Sequence, residues 1–297
     1  MSLSVNCTLL CASGAAYDIK NSDGKYYPDI IFSKAVQYIG DPIAISTGDN
    51  NINACLVGQT AMGIIVAFRG TLPTTLVDWF QDLLIEPVPS PGLPGKVHYG
   101  FQAAVQAMYP KILVAVKSFN PSVSNPVYVT GHSKGGGMAP LAAYLLRRDR
   151  VPLQQVITFA APKSGNDAFA TAYNSAIRNH IRYENYGDIV PLLPPPDEFV
   201  SLLAYVVSWI PDIGQELAEL LRKAAGWDYT AVGSKLYIEP DHSICTHEPD
   251  DEQIAGVGYY LWENGDNVEA AVGNAHTLGC SYGYMSGTCP STVCTAT

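Results

Sequence analysis

The segment Val129-Thr130-Gly131-His132-Ser133-Lys134-Gly135-Gly136-Gly137 constrains this chain more than any other. A short β-branched run, Pro126–Thr130 (PVYVT), leads into it, and small, helix-forming residues follow it from Ser133 to Leu146. A strand that turns sharply into a helix at a serine brings the flanking backbone close together. Side chains two before and two after would collide with it, and Gly131 and Gly135 hold those places in the G-x-S-x-G pattern. The turn aims the Ser133 hydroxyl outward and leaves the free N–H groups of the helix start beneath it. A glycine-rich phosphate cradle is the competing reading. That loop places Lys before Ser or Thr, after the last glycine of a longer run, whereas Lys134 follows the serine.

The flanking sequence puts this turn into a larger pattern. Ala54–Val57 and Ile64–Phe68, joined by GQTAMG, read as a hairpin. Between His98 and Phe119, apolar residues at 104, 105, 108, 112, 115, 116 and 119 have the spacing of an amphipathic helix. Pro140 is expected to bend the helix after Ser133 or to sit where its missing N–H is tolerated. Val156–Ala160, a helical Asp167–Ala176 and Ile181–Asn185 continue the alternation. Strands alternating with helices predict an α/β fold with a mostly parallel sheet covered on both faces. Functional residues in such sheets gather beyond the carboxyl ends of the strands. The loops after Phe68, Thr130, Ala160 and Tyr186 are therefore the places to look.

A serine hydroxyl becomes a good nucleophile only when a histidine takes its proton and a carboxylate orients that histidine. On a sheet of this kind the chain order is serine, acid, histidine. Asp188, in the proline-backed YGDIVPLLPP, is the natural acid; the plainer reading is a turn residue after glycine. His98, His132 and His180 precede it, and His132 is expected to be a packing residue facing away. His242, His247 and His276 remain, and spacing alone leaves His242 and His276 as alternatives. His242, Cys245 and His247 also raise a metal site, but zinc requires a fuller ligand set, so a solvated acidic loop is the expectation and no metal is predicted.

Seven motifs in sequence order resemble those of the fungal-type class 3 lipases, which are α/β-hydrolases. They are IIVAFRGT (Ile64–Thr71), DWFQDL (Asp78–Leu83), VHYGF (Val97–Phe101), TGHSKGG, FAAPKSGN (Phe159–Asn166), DIVPLLPP (Asp188–Pro195) and the segment around His276. The resemblance covers about Ala54 to Cys289. It implies a triad of Ser133, Asp188 and His276, because the family histidine stands a few residues before an aromatic–glycine pair, here Tyr282-Gly283. It also implies an oxyanion hole made of Thr71, directly after FRG, and the backbone N–H of Lys134. The Lys134 side chain is expected in solvent. No cofactor is implied.

The resemblance further implies a lid in residues 72–96, where Leu72, Leu76, Trp79, Phe80, Leu83 and Leu84 would share one helical face before a proline-rich loop. A plain core helix is the alternative. Phe199–Trp227 departs from the small fungal lipases and reads as two helices broken at Pro211, within a helical insertion over residues 197–232. This is either a buried subdomain or an acyl-binding cap. The family cysteine expected after Tyr17 is replaced by Asp18, so a disulfide from there to Cys289 is excluded. The whole chain is expected to be one domain that hydrolyses carboxylic esters of lipids, in the manner of a triacylglycerol lipase. Feruloyl or soluble-ester esterase and phospholipase A1 are alternatives within the class, and an inactive lipid-binding module is one outside it.

Composition agrees with these expectations. There are 17 Lys+Arg against 27 Asp+Glu, a formal charge of −10, which disfavours nucleic acid as a partner. A lipid or ester substrate at a lipid–water interface is the expected partner. No apolar run reaches bilayer-spanning length; Phe199–Ile210 is twelve residues with two serines. Cys7 and Cys11 near one end, and Cys280, Cys289 and Cys294 near the other, suit clamps in an oxidising compartment or buried free thiols. These two readings leave the compartment open, with secretion the expectation over a cytoplasmic location.

Overall fold

The computed structural model describes residues 3–29, 31–71 and 76–294. Leu72 of the expected lid face lies outside the described residues, as does the side chain of Leu76. The chain opens with α1 (Val5–Ala15), started by the Ser4 side chain accepting from the Cys7 N–H, and a short α2 (Phe32–Val36). An antiparallel ribbon follows: β1 (Ile43–Thr47), β2 (Asn53–Thr60) and β3 (Gly63–Phe68). The hairpin turn is only Ala61-Met62. Gly58, Gln59 and Thr60, expected in the loop, pair within β2 because a tight two-residue turn lets the ladder continue.

Next come α3 (Leu76–Leu83), β4 (Pro87–Pro89), β5 (Lys96–His98) and the long α4 (Tyr99–Ser118). The expected proline-rich loop is thus partly strand, since β4 and β5 pair antiparallel. β6 (Val127–His132) enters α5 (Lys134–Arg148), in which Pro140 is accommodated inside a continuous helix. The remaining central elements are β7 (Leu153–Phe159), β8 (Gly165–Asn166), α6 (Asp167–Ala176) and β9 (His180–Asn185). The segment expected as a helical insertion holds α7 (Val200–Val207) and α8 (Gly214–Arg222), separated around Pro211 as the sequence suggests. β10 (Tyr229–Thr230), β11 (Ser234–Ile238), β12 (Ile244–Cys245), α9 (Asp250–Glu263) and α10 (Val268–His276) complete the scaffold.

The principal sheet has the order β1-β2-β3-β6-β7-β9-β11-β12, parallel from β3 through β11. Its strands show why both faces must be covered. Val57, Val66, Phe68 and Val129 point into one core with α4 and α5, whereas Leu56, Ile65, Ala67 and Tyr128 point into another with α1. This two-residue alternation of apolar side chains, buried on both sides, is what a crossover-connected sheet requires. β10-β8-β5-β4 form a small second sheet beside it. A disulfide joins Cys7 on α1 to Cys289, tying the two ends of the chain across 282 residues. Cys289 thus finds its partner within α1 itself, upstream of Asp18.

Candidate active site

Ser133 sits between β6 and α5 with φ 57° and ψ −133°, a backbone conformation that a non-glycine residue adopts only when its surroundings impose it. Those surroundings are backbone. A Cβ on Gly131 would strike the Gly135 carbonyl, and one on Gly135 would strike the Phe68 carbonyl at the end of β3. The turn is held by Ser133 N–H donating to Phe159 O at 3.0 Å and by Gly137 N–H donating to Ser133 O at 3.2 Å. Lys134 opens α5, so its N–H is among those without a helical acceptor.

The loop after β3 approaches the same point. A Cβ on Gly70 would lie 3.0 Å from the Ser133 Cβ and 2.8 Å from His132 O, so only glycine lets this backbone pass so closely. Thr71 follows, with its Oγ1 buried and without a hydrogen-bond partner among the described residues. The Lys134 side chain is not in solvent as expected. It is half-buried, and burial lowers its pKa while Asp82 on α3 opposes the shift. Asp82 is thus an opposite charge brought near Lys134 from another element.

Asp188 follows β9 and is fully buried. Its Oδ1 accepts from Val190 N–H at 3.0 Å, and its Oδ2 accepts from Tyr284 Oη at 2.7 Å. His276, the last residue of α10, presents Nδ1 to the two carboxylate oxygens at 3.1 and 3.0 Å. With Nδ1 held by the acid, Nε2 points the other way. It is buried and has no partner among the described residues. His242, the alternative, is exposed in the turn between β11 and β12, whereas Asp188 is fully buried. Glu239, Cys245 and Glu248 bring ligand-type atoms near one another beside that turn, but all three are partly exposed.

His132 is more than a packing residue. Its ring lies 4.8 Å from that of His276, its Nε2 lies 2.7 Å from the His276 carbonyl, and its Nδ1 lies 2.8 Å from Tyr17 Oη. Full burial pushes its pKa down to about 3, so it is neutral, with Nε2–H donating and Nδ1 accepting from the tyrosine. His132, the residue beside Ser133, is therefore tied directly to the backbone of His276. Nothing in the sequence marks Tyr284 or Tyr17 as part of the site; Tyr284 shows only as the second aromatic of a tyrosine-rich stretch. Trp79, on the covering helix, meets His276 edge-on with ring centroids 4.4 Å apart.

Residues 65–198 match the family model described as Lipase (class 3). Over this stretch, somewhat under half of its length, the chain resembles the class 3 lipases. It is 33% identical over 169 residues to a lipase of Rhizomucor miehei, covering 55% of this chain and 46% of that protein. It is 31% identical over 173 residues to a secreted mono- and diacylglycerol lipase of Fusarium solani, covering 57% of this chain and 49% of that protein. The chain spans about half the length of these curated relatives. Among solved structures it resembles a triacylglycerol lipase described as having a serine protease triad at its catalytic centre, with 25% identity, a TM-score of 0.58 and 80% of each chain covered. The Rhizomucor miehei lipase–propeptide complex superposes with a TM-score of 0.62 at 23% identity, covering 86% of this chain and 76% of that one. The fold is thus that of an α/β-hydrolase with a mostly parallel central sheet.

Proposed function

We propose that this protein is a class 3 lipase that hydrolyses carboxylic esters of lipids, with Ser133 as nucleophile, His276 as base and Asp188 as the carboxylate that orients it. One observation carries the reading: the buried Asp188–His276 pair leaves Nε2 unpartnered next to the residue that precedes a strained serine. Ser133 Oγ attacks the ester carbonyl carbon while its proton passes to His276 Nε2. The resulting alkoxide accepts hydrogen bonds from the N–H groups of Thr71 and Lys134. Each such donor contributes about 3–4 kcal/mol. Collapse expels the alcohol, which takes the proton from Nε2 and leaves an acyl group on Ser133. Water then gives a proton to Nε2 and attacks that acyl group. The second collapse releases the carboxylic acid and returns the proton to Ser133 Oγ.

Helix α3 is the lid in this reading. Phe80 is fully buried and Trp79 lies against His276, so substrate entry requires α3 to move. Exposing those rings to water costs several kcal/mol at about 25 cal/mol per Å², and contact with lipid offsets that cost. Acylglycerols are the favoured substrates, on the strength of relatives named mono- and diacylglycerol lipases. Secretion is favoured by the Cys7–Cys289 disulfide and by relatives named as secreted. Among the described residues, no helix is long and apolar enough to cross a membrane.

Hydrolysis of dissolved short-chain esters and of emulsified long-chain acylglycerols, each with and without paraoxon, tests the function. The expected result is paraoxon-sensitive release of fatty acid that rises sharply once substrate exceeds its solubility. Turnover confined to dissolved short esters would defeat the lipase reading.

A further inference from the structure

The insertion and the C-terminal helices expose large aromatic side chains that no part of the proposed chemistry uses. On α7 and the turn after it, Leu202, Tyr205 and Trp209 share one side of the helix, with Tyr205 57% and Trp209 56% exposed. On α9, Tyr259 is 53% and Trp262 69% exposed. Each pair is in ring contact, Tyr205 with Trp209 at 4.9 Å and Tyr259 with Trp262 at 5.9 Å. The two helices pack together, Val206 lying 3.0 Å from where a Gly258 Cβ would be. Four exposed Tyr and Trp rings on two packed helices exceed what scattered surface apolar residues account for.

Charge identifies the occupant. The bodies of both helices are uncharged, Val200–Ile210 and Gln253–Trp262, while Asp197, Glu198 and Asp212 flank one and Asp250, Asp251, Glu252 and Glu263 flank the other. No Lys or Arg occurs in residues 188–221 or 236–297. Anionic bilayers are held by basic clusters, and nucleic acid or acidic protein would be repelled in the same way. Tyr and Trp favour the boundary between apolar and wet layers, because one end of the ring system is apolar and the other is a hydrogen-bond donor. The location also fits: α7 packs on α8, and α8 packs on α3, the helix whose Trp79 covers His276. We propose that Tyr205, Trp209, Tyr259 and Trp262 form a docking surface for an electrically neutral lipid–water interface, separate from the α3 cover. This rests on the lipid-esterase reading for its purpose, but docking can be measured without turnover.

The test uses the full chain carrying Ser133→Ala, so that no product alters the lipid. Co-sedimentation is measured with phosphatidylcholine vesicles and with phosphatidylcholine vesicles containing a minority of phosphatidylglycerol. The Tyr205→Ser/Trp209→Ser and Tyr259→Ser/Trp262→Ser pairs are each expected to lower partitioning by about tenfold or more. Val123→Ser, at a 94% exposed position on the loop before β6, should leave it unchanged. Phosphatidylglycerol should not strengthen binding. All substituted sites are exposed, so thermal unfolding should stay close to that of the parent, and this is checked in parallel. The proposal is overturned if the parent stays in the supernatant, if both pairs bind as the parent does, or if binding needs phosphatidylglycerol. It is overturned equally if sedimentation velocity shows a dimer that these substitutions dissolve. Fluorophosphonate labelling of the unsubstituted chain is scored separately, so failure of the esterase reading is distinguishable from failure of docking.

Discussion

The two halves of the candidate site are built in opposite ways. The Ser133 half is one contiguous turn, fixed by backbone packed against backbone at Gly131, Gly135 and Gly70. The Asp188–His276 half is assembled from residues 88 positions apart, and Tyr284 and Val190 complete the set of donors around the carboxylate. Steric exclusion leaves the first half essentially one conformation. The second depends on several hydrogen bonds, each worth about 1 kcal/mol net, or about 1.5–3 when a charged group is involved. Damage to the turn should therefore be all-or-none, and damage to the acid–base half should be graded.

The largest effect expected from a single added atom is Gly135→Ala. Its Cβ would meet the Phe68 carbonyl, a part of the central sheet that cannot retreat. A stability loss of about 3 kcal/mol or more is expected, read by urea unfolding. Near-normal stability would show that the turn is softer than its packing implies.

Acid should act on the bridge between the halves and on the surrounding core together. His98, His132 and His180 are buried and each pushed down to about 3 by burial. They are neutral in the folded chain, whereas the unfolded chain protonates them below the ordinary value of 6.5. The folded pKa lies below the unfolded one, so this stability is fully present above 6.5 and is lost as pH falls toward 3. The unfolding free energy should drop with a slope approaching about three protons per molecule in that window. A flat profile would remove the neutral His132 from its bridge between the halves.

Cys7→Ser tests the assembled half from a distance, because the disulfide fastens the C-terminal segment that carries Tyr284 onto α1. A loss of about 2–5 kcal/mol is expected, measured as a lower thermal midpoint that a reductant reproduces in the parent. The smallest effect is Tyr284→Phe. It removes one of the donors to Asp188 Oδ2 and should cost about 1–3 kcal/mol, a roughly tenfold fall in kcat with the fold retained. An all-or-none loss here would break the contrast between the halves.

The same contrast explains what could be read in the sequence. Ser133, its flanking strand and helix, and the break at Pro211 are legible because their causes lie within a few residues of one another. Asp188 is legible as the acidic residue that follows a strand, on the correct side of the serine in chain order. The choice of His276 over His242 is not, since spacing in the chain says nothing about which ring reaches a buried carboxylate. The family resemblance favoured His276, and the structure brings that residue to Asp188. His132 was misread because its partners, Tyr17 Oη and the His276 carbonyl, arrive from 115 and 144 residues away. The small sheet stayed hidden because its strands of two or three residues, β4, β5, β8 and β10, are too short to show an alternating pattern. The partial burial of Lys134 is not legible because nothing local reveals that Asp82, more than fifty residues earlier, comes near it.

The central claim is that the Ser133 hydroxyl is made reactive by the imidazole of His276. The most direct measurement is intact-mass labelling by a fluorophosphonate, followed by peptide mapping, in the parent chain and in His276→Ala and His242→Ala. The account predicts a single adduct on Ser133 in the parent and in His242→Ala, with labelling slowed by orders of magnitude in His276→Ala. An adduct on another residue, or rapid labelling that survives His276→Ala, would contradict it.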